Sequence, residues 1–148
     1  VAVCLWDAGG SRDGGDAANR LALAARACAF ATAARMALTC NKHIEGVTDY
    51  EGTIGVPAGE CYHCHAGRCP VGIATQDVEL RARLDIEEAA LRVYNFLHTL
   101  TMEVQLLARA CGKTNIHNLE PEDLAALTHE ASAMAKVPLA RAAQDLSL

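Results

Sequence analysis

The sequence predicts an α/β fold: the last two strand–helix units of a TIM (β/α)8 barrel, then a cysteine-rich loop and a helical C-terminal extension. Three observations predict it. Two apolar runs each lead into a helix-forming segment, three cysteines crowd into residues 61–69, and apolar residues recur every three or four positions from 85 to 112. At 148 residues the chain has the length of one domain, and 51% apolar against 21% charged residues excludes a disordered chain.

Residues 1–6, VAVCLW, are a short apolar run bounded by Asp7 and Gly9-Gly10, which fits a buried parallel strand. Asp16 is a candidate N-cap for a helix to about Ala25, since DAANRLALAARA lacks Gly and Pro after its cap. A second strand is expected in ACAFAT at 27–32 and a second helix at 33–39. Two parallel strands cannot cover both faces of a sheet, so more chain or a partner is required. Residues 41–60 carry Gly46, Gly52, Gly55, Pro57 and Gly59 and form an irregular excursion. From 85 to 112 the positions Ile86, Ala90, Val93, Leu97, Leu100, Val104, Leu107 and Cys111 define one face of a long helix ended by Gly112. Pro121 suits a first helical position and opens one or two short helices before Val137-Pro138.

The formal charge of −5 offers no basic face to a nucleic acid, and Arg20, Arg26 and Arg35 interrupt the alanine-rich stretch before it reaches a membrane-spanning length. The first residues show neither an initiating Met nor a signal-peptide pattern, so the expectation is a cytoplasmic protein whose chain begins in the middle of a fold. Seven cysteines, an odd number, argue for a metal or redox site over a disulfide framework.

Cys61, Cys64 and Cys69 follow C-x2-C-x4-C spacing, with Pro70 directly after the last. Crowded thiols suit either an iron–sulfur cluster or zinc, for which His63 and His65 are further donors, and the spacing alone leaves both open, as it does unligated thiols. Cys4, Cys28 and Cys111 are expected to be core residues. His98, His117 and His129 are expected at the surface or in packing. The turn Ala8-Gly9-Gly10-Ser11-Arg12-Asp13-Gly14 precedes a helix, where backbone N–H groups can approach a phosphate. A second strand–helix junction at Ala31-Thr32-Ala33 follows one unit later, the arrangement of barrel phosphate sites after strands seven and eight. Arg12 either reaches such a phosphate or pairs with Asp13 or Asp16.

With these residues in view, the chain resembles the glutamate synthase large-subunit family, in its archaeal-type or N-methylglutamate-forming variants. Cys69-Pro70-Val71-Gly72-Ile73-Ala74-Thr75-Gln76-Asp77 matches the stretch that follows the family's cluster cysteines, and Asp7–Gly14 and Ala31–Ala34 align without gaps with its barrel end. The resemblance implies an FMN phosphate held by Gly9 and Gly10 and by Ala31, Thr32 and Ala33, with Arg12 a further candidate contact. It further implies a cluster on Cys64 and Cys69. The family's first cluster cysteine would fall at Ala58, so Cys40, placed directly after the last barrel helix, is the candidate, with 41–60 an insertion and Cys61 an additional thiol. Three ligands suit 3Fe-4S and four suit 4Fe-4S. The implied organisation is the barrel end at 1–40, insertion and iron–sulfur cluster loop at 41–76, and helical extension at 77–148.

The implied reaction is reduction of the imine from 2-oxoglutarate and an amine to glutamate or N-methylglutamate, by a chain that is not a complete catalyst and whose catalytic residues are unknown. Implied partners are the remainder of the synthase barrel or companion amidotransferase and electron-donor subunits. The alternative is a zinc-braced interaction module, or a degenerate domain without flavin, docking through the long helix.

Overall fold

The computed structural model of the chain describes residues 4–50, 52, 54–56 and 60–140. The predicted strand start at Val1, Ala2 and Val3, the turn signals Pro57 and Gly59, Ala58, and residues 141–148 of the predicted extension lie outside the described residues. Contacts divide the chain into two compact units: residues up to Ala29 with those from Leu100 onward, and Phe30–Thr99.

In the first unit, β1 (Trp6–Ala8) and β2 (Ala27–Ala29) pair in parallel, with Trp6 opposite Ala27, Asp7 opposite Cys28 and Ala8 opposite Ala29. The crossover is α1 (Gly14–Ala22), whose buried Ala17, Ala18, Leu21 and Ala22 form the apolar face. Small residues there permit close approach. Cys28 lies near the Ala17 carbonyl, and burial pushes its thiol pKa up. The first strand thus runs through Asp7 instead of stopping before it, because Arg20 of α1 bonds both the Asp7 carboxylate and the Ser11 hydroxyl. Nor is β1 buried: Trp6 is 75% exposed, since only one neighbouring strand pairs with it among the described residues.

Asp13, not Asp16, caps α1. Its extended backbone directs the carboxylate to accept from the Asp16 N–H at 2.9 Å, while the Asp16 carboxylate accepts from the Arg12 N–H at 2.8 Å. Glu103 accepts from the Gly14 N–H at 2.7 Å, and a Cβ on Gly14 would stand 2.7 Å from that of Glu103, so the approach requires glycine. A turn at Ile116–Asn118 packs on α1. A second turn, Pro121–Asp123, is closed by a capping box between Glu120 and Asp123, whose carboxylates Lys113 binds at 3.0 and 3.4 Å.

In the second unit, α2 (Thr32–Ala37) leads into the irregular segment, and α3 (Val78–Arg81) follows the cysteine loop, capped by the Asp77 carboxylate on the Glu79 and Leu80 N–H groups. The long helix α4 (Ile86–Ala110) runs from this unit into residues of the first, capped by Asp85 and closed at Gly112, whose φ is +74°. Phe96 of α4 meets Phe30 edge to face at 6.4 Å. The final helix, α5 (His129–Ala135), is capped by Thr128.

The inward face of α4 differs from the predicted stripe. Ala89, Val104 and Ala108 are buried, with Val93, Phe96 and Leu100 half-buried, whereas Ile86 is 69% exposed and Leu97, Leu107 and Cys111 are exposed too. Apolar residues occupy several sides of this helix, including exposed Leu91, Met102 and Leu106, so periodicity alone cannot choose the stripe. The short side chains of Ala89 and Ala108 mark where neighbours come close. Cys4 and Cys111 are likewise exposed and not core; Cys4 precedes β1 and accepts from the Trp6 indole N–H.

Gly72 has φ +84°, and a Cβ there would lie 2.5 Å from the Leu80 carbonyl oxygen. Gly72→Ala is therefore expected to cost about 2–5 kcal/mol, the left-handed penalty plus overpacking, read as a lowered urea midpoint. The Arg83 guanidinium on Asp49 at 2.7 Å lowers the Asp49 pKa from 3.8. A depressed carboxylate stabilises above its unfolded value and stops doing so as pH falls through the folded one. The midpoint difference between the wild type and Asp49→Asn is thus expected to be full at neutral pH and to vanish in acid below the folded pKa, a shift checked by urea titrations across that range.

Candidate functional site

Cys40, Cys61, Cys64 and Cys69 line one cavity of about 50 Å³ within the second unit, together with Arg35, Asn41 and the apolar side chains of Pro70, Val71, Ile73 and Ala74. All four cysteines named from the sequence therefore share one cavity. Cys69 is buried, Cys40 and Cys61 are half-buried, and Cys64 is exposed.

Local backbone chemistry positions each thiol. The end of α2 closes when Thr39 adopts φ +63° and the Cys40 N–H bonds the Arg35 carbonyl at 2.9 Å. Asn41 follows at φ +67°, so two left-handed residues flank Cys40 and the chain reverses there. The Asn41 carbonyl then accepts from the Gly55 N–H at 3.1 Å, and its side-chain amide donates to the Val56 carbonyl. This neck closes the excursion on itself, and Cys40 and Cys61 stand on its two sides. Cys64 lies in a short turn, His63–Ala66, ended by Gly67 at φ +67°. Beyond it, Arg68 and Thr75 pair as an antiparallel bridge and hold the Cys69–Ala74 loop, in which the Gly72 N–H bonds the Cys69 carbonyl at 3.1 Å.

Arg83 ties this loop to the excursion. It donates to the Pro70 carbonyl at 3.1 Å, pairs with Asp49, and sits over the Tyr50 ring at 5.9 Å. His63 packs edge-on against Tyr50 with ring centroids 5.0 Å apart. Neither His63 nor His65 lines the thiol cavity.

Burial pushes the Cys40 thiol pKa up; the Arg35 guanidinium opposes this, and the neighbouring Cys69, Cys61 and Cys64 add to it. Arg35 and Asn41 are the lining residues that sequence reasoning missed. Asn tolerates the left-handed backbone, a weak signal at Asn41, whereas nothing local marks Arg35.

Four thiols around one cavity are a donor set for an iron–sulfur cluster and for a single zinc ion alike. Zinc holds thiolates at about 2.3 Å, which brings their sulfurs within roughly 4 Å of one another. A cluster spreads its thiolates over separate iron atoms, which suits donors distributed around a shared cavity.

The candidate phosphate residues divide between the two units. Gly9 and Gly10 follow β1 with φ +110° and +67°, and a Cβ on Gly9 would meet no heavy atom within 4 Å. The nearby amino end of α1 is filled by Asp13, Asp16 and Glu103. Arg12 pairs with Asp16 at 3.5 Å and is otherwise exposed. Ala31 is the N-cap of α2 and makes no side-chain capping bond, and the first turn there, with Thr32 and Ala33, carries no acidic residue. Its N–H groups are therefore not capped by side chains.

A larger hollow of about 450 Å³ adjoins Val71, with Lys42, Arg83 and Arg92 facing Glu45, Asp85 and Glu88. Arg92 pairs with Glu88 and Arg83 with Asp49, so the walls present charges of both signs. No helix among the described residues is long and apolar enough to cross a membrane.

A family model described as a conserved region in glutamate synthase matches residues 2–114. The chain is 52% identical over 139 residues to a glutamate synthase large subunit-like protein of Rhizobium meliloti, covering 93% of this chain and 31% of that protein. It is 36% identical over 117 residues to an archaeal glutamate synthase (NADPH) of Methanocaldococcus jannaschii, covering 79% of this chain and 19% of the relative. To an archaeal-type glutamate synthase (NADPH) of Dehalococcoides mccartyi it is 32% identical, over 75% of this chain and 19% of the relative. The chain thus spans between a fifth and a third of these proteins. No solved structure matches it. With a match covering most of its length, the chain belongs to the glutamate synthase family.

Proposed function

We propose that the chain forms the end of the FMN-binding barrel of a glutamate-synthase-like oxidoreductase, with its iron–sulfur loop and the helical segment that follows. The complete protein reduces the imine of 2-oxoglutarate and ammonia or methylamine to glutamate or N-methylglutamate. The observation that carries this reading is the convergence of Cys40, Cys61, Cys64 and Cys69 on one cavity, across an excursion that separates Cys40 from the others in sequence.

When bound, FMN supplies the hydride and the cluster passes single electrons. The residues of this chain seat both groups. Cys40, Cys61, Cys64 and Cys69 hold iron as thiolates, Arg35 offsets part of their charge, and Pro70, Val71 and Ile73 limit water at the cavity wall. Gly9 and Gly10 offer backbone N–H groups to the flavin phosphate, Ala31, Thr32 and Ala33 offer the uncapped amino end of α2, and Arg12 adds a cation beside the glycines. The remaining barrel strands supply substrate contacts, and companion amidotransferase and electron-donor subunits supply ammonia and electrons.

Anaerobically purified protein is expected to contain iron together with acid-labile sulfide, at three or four iron to four sulfide; stoichiometric zinc without iron would overturn the reading. Cys40→Ser is expected to lower iron retention as far as Cys64→Ser does, and unchanged retention would remove Cys40 from the ligand set. Thr32 is exposed at the amino end of α2, so Thr32→Glu places a carboxylate where the phosphate is expected. In the complete protein it is expected to reduce FMN occupancy by about tenfold with the iron content unchanged, measured by flavin absorbance per chain.

A further inference from the structure

We propose that the outward side of α4 is a dimerisation surface, on which a second copy of this chain packs its own α4 antiparallel about His98. None of its residues lines the thiol cavity, and the proposed function gives that side of the helix no role.

Buried Ala89, Val104 and Ala108 lie on one side of this helix, and half-buried Val93, Phe96 and Leu100 extend it. At about 100° per residue, Leu91, Tyr94, His98, Met102 and Leu106 project from the opposite side. All five are exposed, Tyr94 by 62% and Met102 by 56%. The outward side of a solvated helix is ordinarily charged. Between Arg92 and Arg109, however, α4 holds no Lys or Arg and one acid, Glu103, whose carboxylate is turned to the Gly14 N–H. The stripe is therefore uncharged over about four turns, which sets it apart from the scattered single apolar residues of an ordinary surface. Tyr94 and His98 stack with ring centroids 5.6 Å apart and planes 11° from parallel, so the middle of the stripe is ordered before anything docks.

Reversed on itself, the stripe is self-complementary. Glu87 stands eleven residues before His98 and Arg109 eleven after it, while Tyr94 stands four before and Met102 four after. Glu87 and Arg109 are exposed on the same side as the stripe, and neither takes part in an ion pair among the described residues. In an antiparallel pair centred on His98, Glu87 faces Arg109 of the second copy at both ends. Tyr94 then faces Met102 of the second copy, a favourable contact of thioether and ring, and Leu91 falls near Leu106. A parallel pair would set Glu87 beside Glu87 and Arg109 beside Arg109, and like charges oppose it. A different segment of the same protein would gain nothing from this symmetry. Further strands have their own place beside β1 and β2.

The test is sedimentation velocity on the complete protein that contains this chain, native and as Met102→Glu, Glu87→Arg, Arg109→Glu and the double variant Glu87→Arg/Arg109→Glu. Native protein at micromolar concentration is expected to sediment at twice the mass of Met102→Glu, which buries a carboxylate against Tyr94 of the second copy and raises the dimer Kd about a hundredfold. Each single charge reversal sets like charges together at both ends of the pair and is expected to raise the dimer Kd about tenfold. The double variant is expected to return it to within about twofold of native. A native monomer overturns the proposal, and a destabilised Met102→Glu then places another segment of the same protein on the stripe. A native dimer whose mass Met102→Glu leaves unchanged overturns it too, since its interface lies elsewhere. If Met102→Glu does not fold, the charge variants decide alone: a double variant that associates no better than the weaker single one overturns the antiparallel pairing.

Discussion

The neck at Asn41 is the constraint on which the thiol cavity depends. Its backbone carbonyl takes the Gly55 N–H and its side-chain amide reaches the Val56 carbonyl, so a single residue closes the excursion from both its main chain and its side chain. Closing a loop of this length carries an entropic cost that grows only slowly with length, and a few well-placed hydrogen bonds can offset it. Cys40 precedes the neck and Cys61 follows it in sequence, and both line the same cavity. The left-handed backbone at Thr39 and Asn41 belongs to the same device. A β-branched residue at φ +63° is uncommon, and strain of this kind persists where the surroundings over-determine the chain.

A second set of contacts keeps the cysteine loop in place from outside. Arg83 holds the Pro70 carbonyl, Asp49 and the Tyr50 face at once, and Tyr50 in turn packs His63. The close approach of Gly72 to the Leu80 carbonyl anchors the other side of the loop against α3. A guanidinium fits this task because its planar fork serves several acceptors while one face lies on a ring. These ties use hydrogen bonds and close packing in place of a large apolar core.

The two candidate anion-binding helix ends differ in chemistry although both follow strands. The amino end of α1 carries its own carboxylates, Asp13, Asp16 and Glu103, which satisfy the first N–H groups and the local dipole. The amino end of α2 has no side-chain cap and no acid in its first turn. In the first strand–helix turn the available backbone is therefore the exposed Gly9-Gly10 pair ahead of the helix. Charge at the far side of β1 is handled separately, by Arg20 on Asp7 and Ser11.

Much of this was legible in the sequence. The strand–helix–strand order, the long helix with its stop at Gly112, the cysteine spacing and the family pattern around Cys69 are all local signals, and local signals survive without knowledge of the partner surfaces. The choice of Cys40 came from its position after a predicted helix and from the family pattern. What the sequence could not decide was set by long-range packing. The cap of α1 moved to Asp13 because Asp16 is taken by Arg12, the first strand continued through Asp7 because Arg20 meets its carboxylate, and the buried side of α4 turned toward Ala89, Val104 and Ala108 because apolar residues occupy several sides of that helix. The closure at Asn41, the reach of Arg83 and the presence of Arg35 at the cavity wall have the same origin. The sequence by itself determined which residue types are available and the period of each element; the tertiary structure decided which of them meet, because contacts between distant segments depend on loop closure and burial that no local pattern records.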